Sequence, residues 1–120
     1  MAKVQSLREK IKSSNDKKRE KVVIREWDNS EIYVTTMTAS AKERFEAMFI
    51  DEKGQRKDVE SVRAALAVLT CETEDGAMVF EAGDEDWLKE KSASALTKLT
   101  NVAQALNVMT DGEVEELAKN

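Results

Sequence analysis

The spacing of the apolar residues differs between parts of this chain of 120 residues, and the difference limits the folds that the chain can form. Residues 21–27 alternate, with Val22 and Ile24 on one face, and Ile32 and Val34 continue the alternation after a short polar break. A period of two is typical of β-strands, and two such runs predict an antiparallel hairpin. Most of the remaining apolar residues recur three and four positions apart, as in amphipathic helices. We therefore predict an α+β fold, mostly helical, with the hairpin packed on a bundle of four or five helices.

Capping residues and the helical period predict where the helices begin and end. The first predicted helix covers residues 3–13 and is followed by a polar hinge. The later helices are bounded, in chain order, by Thr38 or Ser40 and Gly54, by Asp58 and Leu69, by Asp84 and Leu88, by Ser92 and Asn107, and by Thr110 and Lys119. Ser40 with Glu43, and Thr110 with Glu113, have the spacing of a capping box. The turn signal Asp75-Gly76 predicts a small β-like finger over residues 69–80.

The inward faces of three of these helices predict the core. Its members are Phe45, Phe49, Leu66, Leu69, Leu99, Val102 and Leu106. Cys71 lies near a helix end, where we expect a small buried thiol and not a reactive one. Because it is the single cysteine of the chain, it has no partner for an intramolecular disulfide.

Charge divides the chain into a basic arm and an acidic body. Residues 1–25 hold nine basic and three acidic residues, a net charge of +6, whereas residues 26–120 hold ten basic and twenty-one acidic residues, a net charge of -11. We take residues 1–20 as a basic helical arm with a hinge. Its dense basic run is a solvated linker, a contact for an acidic protein surface, or a contact for nucleic acid. The arm has no aromatic residue to stack on bases, and the acidic body repels phosphate, so nucleic acid is the least favoured of the three.

The composition argues against catalysis and against a bound cofactor. Without histidine the chain cannot form a Ser-His-Asp or Cys-His nucleophile pair, or a zinc site with an imidazole ligand. The acidic cluster around Glu81 and Asp86 lacks the spacing of a calcium loop, and we expect it to interact with the start of a helix. The glycines lie too far apart for a phosphate-binding loop. No apolar run has the length of a signal peptide core or a membrane span, so we expect neither standard export nor membrane insertion.

Several apolar residues have no clear place in the core. Trp27 borders a polar turn and Trp87 follows three acids, so each is either a core residue or an interface anchor. Val4, Leu7 and Ile11 form a thin stripe on a helix too short to be stable alone. We expect this stripe to dock on its own domain, on a partner or on a sister subunit.

The order of these segments resembles the tail assembly chaperones of long-tailed, non-contractile (siphovirus-type) bacteriophages. The resemblance covers nearly the whole chain. It is carried, in order, by SLREKI, EWDNSEIYVTTMTASAKERFEAM, VRAALAVLT, ETEDGAMVF and DEDWLKEKSASALTKLTNVAQALNVMTDGEVEELAKN. The part after residue 72 is the most specific. The pattern contains no catalytic motif.

The resemblance implies a single tail assembly chaperone domain over residues 1–120 that acts in the host cytoplasm. Such a protein binds the phage tape-measure protein, keeps that long helical chain soluble, helps tail-tube subunits to gather on it, and is absent from the mature virion. A longer form made by ribosomal frameshifting often accompanies the short form in these families.

We therefore expect a chaperone without enzymatic activity that binds its client through apolar surface and forms homo-oligomers. The expected contact residues are Val4, Leu7, Ile11, Trp27, Trp87, Val114 and Leu117. The first three and the last two lie on short terminal helices, which we expect to move relative to the body. The alternative is a small nucleic-acid-binding regulator that uses the basic arm, and its binding would weaken steeply as salt rises.

Overall fold

The computed structural model describes residues 2–49 and 59–119, which form an α+β fold that is mostly helical. Its elements are α1 (Ala2–Ser13), β1 (Arg19–Ile24), a 3₁₀ turn (Arg25–Trp27), β2 (Ser30–Thr35), α2 (Ala39–Ala47), α3 (Val59–Thr70), β3 (Cys71–Glu72), α4 (Glu85–Leu88), α5 (Ala93–Leu106) and α6 (Asp111–Lys119). The predicted fold class is confirmed. The helix boundaries predicted at Gly54 and Asp58 lie outside the described residues.

The sheet has three antiparallel strands in the order β1-β2-β3. The predicted hairpin is confirmed, with Val22 paired to Ile32 and both side chains buried against the helices. β3 follows α3 directly and pairs with β2 through Cys71 and Val34. The predicted finger is present, because Glu72 bridges Met78 in antiparallel fashion. It begins later than predicted, since residues 69 and 70 still belong to α3.

The connection between β1 and β2 differs from the prediction, which continued the first strand to Trp27. The strand ends at Ile24, and a 3₁₀ turn over Arg25–Trp27 replaces its last residues. Asp28 and Asn29 then adopt left-handed conformations, with φ of 54° and 57°. Their short polar side chains tolerate that region better than most residues do. The turn carries Trp27 off the strand and back against the core, where it is half-buried.

Helix α3 is the centre of the molecule. It packs against α2, α4, α5, α6 and β2, and it is buried on nearly every side from Val62 to Val68. Ala64, Ala65 and Ala67 are all buried, and such small side chains let the neighbouring elements approach closely. A helix surrounded in this way is apolar where it is most enclosed, and its sequence from Ala64 to Val68 holds no polar residue.

The predicted core is confirmed in part. Phe45, Phe49, Leu66 and Leu99 are buried, and the rings of the two phenylalanines pack edge to face with their centroids 5.2 Å apart. Leu69, Val102 and Leu106 are only partly buried, although they pack against the same core.

Three of the predicted helix starts are confirmed. The Ser92 hydroxyl accepts a hydrogen bond from the backbone N–H of Ala95, and Thr110 and Glu113 form a reciprocal capping box with two bonds of 3.1 Å. Helix α2 is capped by Thr38, one of its two predicted starts, whose hydroxyl accepts a hydrogen bond from Ala41 N. The capping box predicted for Ser40 and Glu43 is therefore absent, because the cap lies two residues earlier.

Helix α6 is packed on the body, which corrects the expectation that it moves as a free terminal helix. It packs against α3, and its Val114 side chain is only 1% exposed. The amide of Gln104 in α5 also donates a 2.9 Å hydrogen bond to the carboxylate of Asp111. Burial of one face and this bond hold the helix in place.

Cys71 is buried, and its environment leads to a prediction about its reactivity. Burial raises the pKa of the thiol to about 12 from a usual value of 9.0, and a hydrogen bond with Thr70 opposes this only in part. We expect a thiol reagent to label Cys71 in urea but not in the native protein at neutral pH. The folded state holds the thiol protonated, so its contribution to stability is present below pH 9 and is lost as the pH rises toward 12. A Cys71→Ala variant should lose this part of the alkaline dependence, whereas rapid native labelling would contradict the burial.

Val108 lies at a strained helix end and gives a prediction in the stabilising direction. Met109 N donates to Gln104 O and Val108 N donates to Ala105 O, the two bonds of a Schellman motif, and Val108 has a φ of 53°. Glycine is favoured there, and a left-handed conformation costs other residues roughly 1–2 kcal/mol. Because the Val108 side chain is 85% exposed, little packing is lost on its removal. Val108→Gly should raise the free energy of unfolding by about 1 kcal/mol in urea melts, and Val108→Ala should not.

Candidate functional site

The first surface of interest is the apolar stripe of α1. Leu7 is 60% exposed and Ile11 is 65% exposed, four residues apart on the same helix face. All described side chains of this helix, residues 6–13, are exposed. The side chain of Val4 lies outside the described residues. In this structure the described part of the stripe therefore does not dock on its own domain, which was one of the three predicted docking sites.

The basic run after α1 is held by the body. The ammonium of Lys17 and the guanidinium of Arg19 both reach the carboxylate of Glu72, which is only 6% exposed. Arg19 also lies 4.4 Å from the centre of the Tyr33 ring and donates a 2.8 Å hydrogen bond to Thr73 O. The acidic surface that this part of the arm contacts is thus the protein's own β3.

These contacts weigh against the idea that the whole run is a solvated linker or a phosphate-binding patch. Two of its four basic side chains, Lys17 and Arg19, neutralise Glu72, and Lys21 lies 3.7 Å from Glu31. A charge that already has an acidic partner attracts phosphate less strongly. Nothing in the geometry favours nucleic acid over protein as the partner of the arm.

The second surface is an apolar cavity of about 240 Å³, which we call the aromatic pocket. It is lined by Trp27, Phe80, Trp87, Leu88 and Lys91. The rings of Phe80 and Trp87 meet at 61° with their centroids 5.9 Å apart, an edge-to-face contact. Phe80 and Leu88 are buried, whereas Trp87 is 46% exposed. The pocket therefore has a rigid base and an accessible aromatic wall.

A network around Asp84 sets the position of Trp87. One carboxylate oxygen of Asp84 accepts a 2.9 Å hydrogen bond from the indole N–H of Trp87, and the other accepts a 2.8 Å bond from Glu81 N. The side chain makes no capping bond to α4, so the predicted capping role is wrong. The turn before the helix places Gly83 at a φ of 98°. Asp84 thus fixes the indole of Trp87 at the pocket wall instead of capping the N-terminus of α4.

The surroundings of the pocket are strongly acidic. Residues 81–90 hold five acidic residues and one lysine. Glu26, next to Trp27, accepts a hydrogen bond from the Ser94 hydroxyl, and this bond is the main reason that the pKa of Glu26 is lowered. The carboxyl group is therefore ionised at neutral pH. A positively charged ligand is favoured at this rim.

The structure brings together some of the predicted contact residues and separates others. Trp27 and Trp87, sixty positions apart in the sequence, line one pocket. Val114 lies in the core and contributes no accessible surface. Leu117 lines a different cavity, of about 210 Å³, beside Met109 and Lys42.

Sequence reasoning missed Phe80, Leu88 and Lys91 as members of the aromatic pocket. Phe80 was visible only as the last residue of the finger, and Leu88 only as an apolar residue of a short helix. Lys91 gave no signal, because a single lysine among acidic residues is common on a surface.

Neither a metal site nor a membrane helix is apparent in the described part of the chain. Over residues 2–49 and 59–119 no three acidic or cysteine side chains are grouped so as to hold a metal ion. The helices in those ranges are too short or too polar to cross a membrane.

Comparison with solved structures finds a protein of similar fold. The sequence matches no protein-family model, and no curated protein matches it. The fold is similar to that of the bacteriophage HK97 tail assembly chaperone, with a TM-score of 0.59 and 16% sequence identity. The likeness covers 90% of this chain and 99% of the HK97 chain. At this identity it shows that the two chains share a fold over almost their whole length.

Proposed function

We propose that this protein is a phage tail assembly chaperone that binds the tape-measure protein and keeps it soluble. The observation that carries the proposal is the fold shared with the HK97 tail assembly chaperone across nearly all of both chains. The order of the sequence segments, which resembles that of siphovirus-type chaperones, supports the same role independently of the fold.

The exposed stripe on α1 supplies a physical means of binding. A long helical client with apolar stripes can be shielded by an amphipathic helix laid along it. Leu7 and Ile11 are exposed on such a helix, and Val4 continues their spacing in the sequence. Because the described side chains of α1 are free of the body, this helix can contact a client without disturbing the core.

Release of the client requires that each contact be weak. Tail-tube subunits have to replace the chaperone during assembly, so single contacts must exchange while the client stays shielded. Several chaperone copies along one client meet both needs, because avidity adds to weak individual affinities. We expect a dissociation constant in the micromolar range for one copy, which corresponds to a binding free energy of roughly -8 kcal/mol. In this scheme the protein acts in the host cytoplasm, recruits tube subunits, forms homo-oligomers and does not remain in the virion.

Co-expression with the tape-measure protein of the same phage tests the proposal. We expect the tape-measure protein to be insoluble alone, and soluble and co-purifying when this chain is present. Equal insolubility with and without the chain would contradict the proposal. Raising the salt concentration separates it from the nucleic-acid alternative, since apolar contacts survive high salt whereas phosphate contacts weaken steeply.

A further inference from the structure

We propose that, in the free protein, the aromatic pocket of one copy binds α1 of another copy, with Leu7 and Ile11 inserted between Trp27 and Trp87. The biological role of this contact rests on the proposed function, because it would cover the client-binding stripe until a client arrives. The contact itself requires no client. Three features of the two surfaces lead to this pairing.

The first feature is size. A cavity of about 240 Å³ is smaller than the ~300–1,000 Å³ typical of small-molecule sites. It suits aliphatic side chains that enter from a neighbouring element. Leu7 and Ile11 lie four residues apart on α1, which places them about 6 Å apart along the helix axis. Two side chains at that spacing can enter one pocket together.

The second feature is charge. The sequence of α1 holds four basic residues and one acidic residue, a net charge of +3. Residues 81–90, which include α4 at the pocket, carry a net charge of -4, and ionised Glu26 adds to it. Lys91, the one cation among the described residues that line the pocket, is outnumbered by these carboxylates. An apolar stripe flanked by basic side chains therefore matches an apolar pocket with an acidic rim.

The third feature is the position of the two surfaces. The arm enters the sheet at Arg19, the first residue of β1, while Trp27 lies beyond the last residue of that strand. Lys17 is tied to Glu72 and Lys18 N donates to the Thr36 hydroxyl, so the segment before β1 is anchored at the far end of the hairpin. The length of β1 therefore separates this anchored segment from the pocket of the same copy, and the described side chains of α1 do not line that pocket. Such a head-to-tail contact leaves one arm and one pocket free in each pair of copies, so it predicts assemblies, open chains or rings, that grow with concentration.

Complementation between two variants tests the contact without any client. Leu7→Ser with Ile11→Ser removes the stripe and keeps the pocket, whereas Trp87→Ala damages the pocket and keeps the stripe. Each variant alone should be monomeric at concentrations at which the wild type associates. This corresponds to a weakening of self-association by at least ~10-fold. A mixture of the two should form a one-to-one dimer that grows no further, because only one arm and one pocket remain competent. Light scattering after size exclusion measures each mass.

A matched control and a second pocket variant make the result specific. Val108→Asn removes an apolar side chain that is 85% exposed but belongs to neither surface, and it should leave association unchanged. If Trp87→Ala proves unfolded by circular dichroism, Asp86→Lys with Glu90→Lys replaces it, since both carboxylates are exposed. Reversing their charge should weaken association by roughly 10-fold, and the weakening should be greatest at low salt.

Tryptophan fluorescence separates the proposed contact from docking within one copy. Both tryptophans of the chain line the pocket, so their emission reports its occupancy directly. We expect emission to shift to longer wavelength on dilution of the wild type, as water enters the emptied pocket. Emission that is independent of concentration, but shifted in the Leu7 and Ile11 variant, would mean that the arm fills its own pocket and would overturn the proposal. A monomeric wild type at every concentration, or association that survives loss of the stripe, would also overturn it.

Discussion

Replacing Leu99 by alanine should lower the free energy of unfolding by about 2–5 kcal/mol. Leu99 is fully buried on α5, the helix that packs against both α3 and the hairpin. Removal of its side chain leaves a cavity among elements that cannot all move inward at once, because α3 is already enclosed by its neighbours. Domains of this size are stable by only about 5–15 kcal/mol, so the loss is a large share of the total.

Urea denaturation followed by circular dichroism measures this loss. Leu66→Ala should behave in the same way, since Leu66 is buried at the centre of α3. Leu7→Ala is the matched control, because it removes the same atoms from a side chain that is 60% exposed. Its cost should stay within about 0.5 kcal/mol. A similarly small cost at Leu99 would mean that α5 does not pack as described.

Deletion of residues 1–13 should abolish most of the client solubilisation while leaving the fold of the body intact. The deletion removes the exposed stripe with Leu7 and Ile11 but none of the described core residues. It also leaves Lys17 and Arg19, so the ion pairs with Glu72 remain. We therefore expect an unchanged melting temperature at a concentration where the chain is monomeric, together with a marked loss of soluble tape-measure protein on co-expression.

The two measurements distinguish binding from stability. If α1 packed on its own domain, the deletion would lower the melting temperature, because buried apolar surface would become exposed. If the shortened chain solubilised the client fully, the arm would have no part in chaperoning, even though the fold likeness to the HK97 protein would stand. Leu7→Ser with Ile11→Ser in the full chain should reproduce the effect of the deletion, since those are the exposed apolar residues among the described side chains of α1.

The amino-acid sequence by itself determined the elements that depend on neighbouring residues. The alternation of Val22 with Ile24, and of Ile32 with Val34, is enough to predict a hairpin with these side chains on its buried face. The caps at Ser92 and Thr110 follow for a similar reason, because a capping bond joins residues only three positions apart. Local rules of this kind act within one turn and need no knowledge of the rest of the chain.

Tertiary structure alone decided how these elements meet. β3 has two residues, too few for a periodic signal, and its pairing with β2 depends on where α3 ends. Glu72 is neutralised by Lys17 and Arg19, more than fifty positions earlier. The aromatic pocket likewise joins Trp27 to residues 80–91. Such contacts arise from the packing of α4 and the 3₁₀ turn around α3 and α5. The hydrophobic period of a sequence indicates which face of each element is buried, but it does not indicate which partner covers that face.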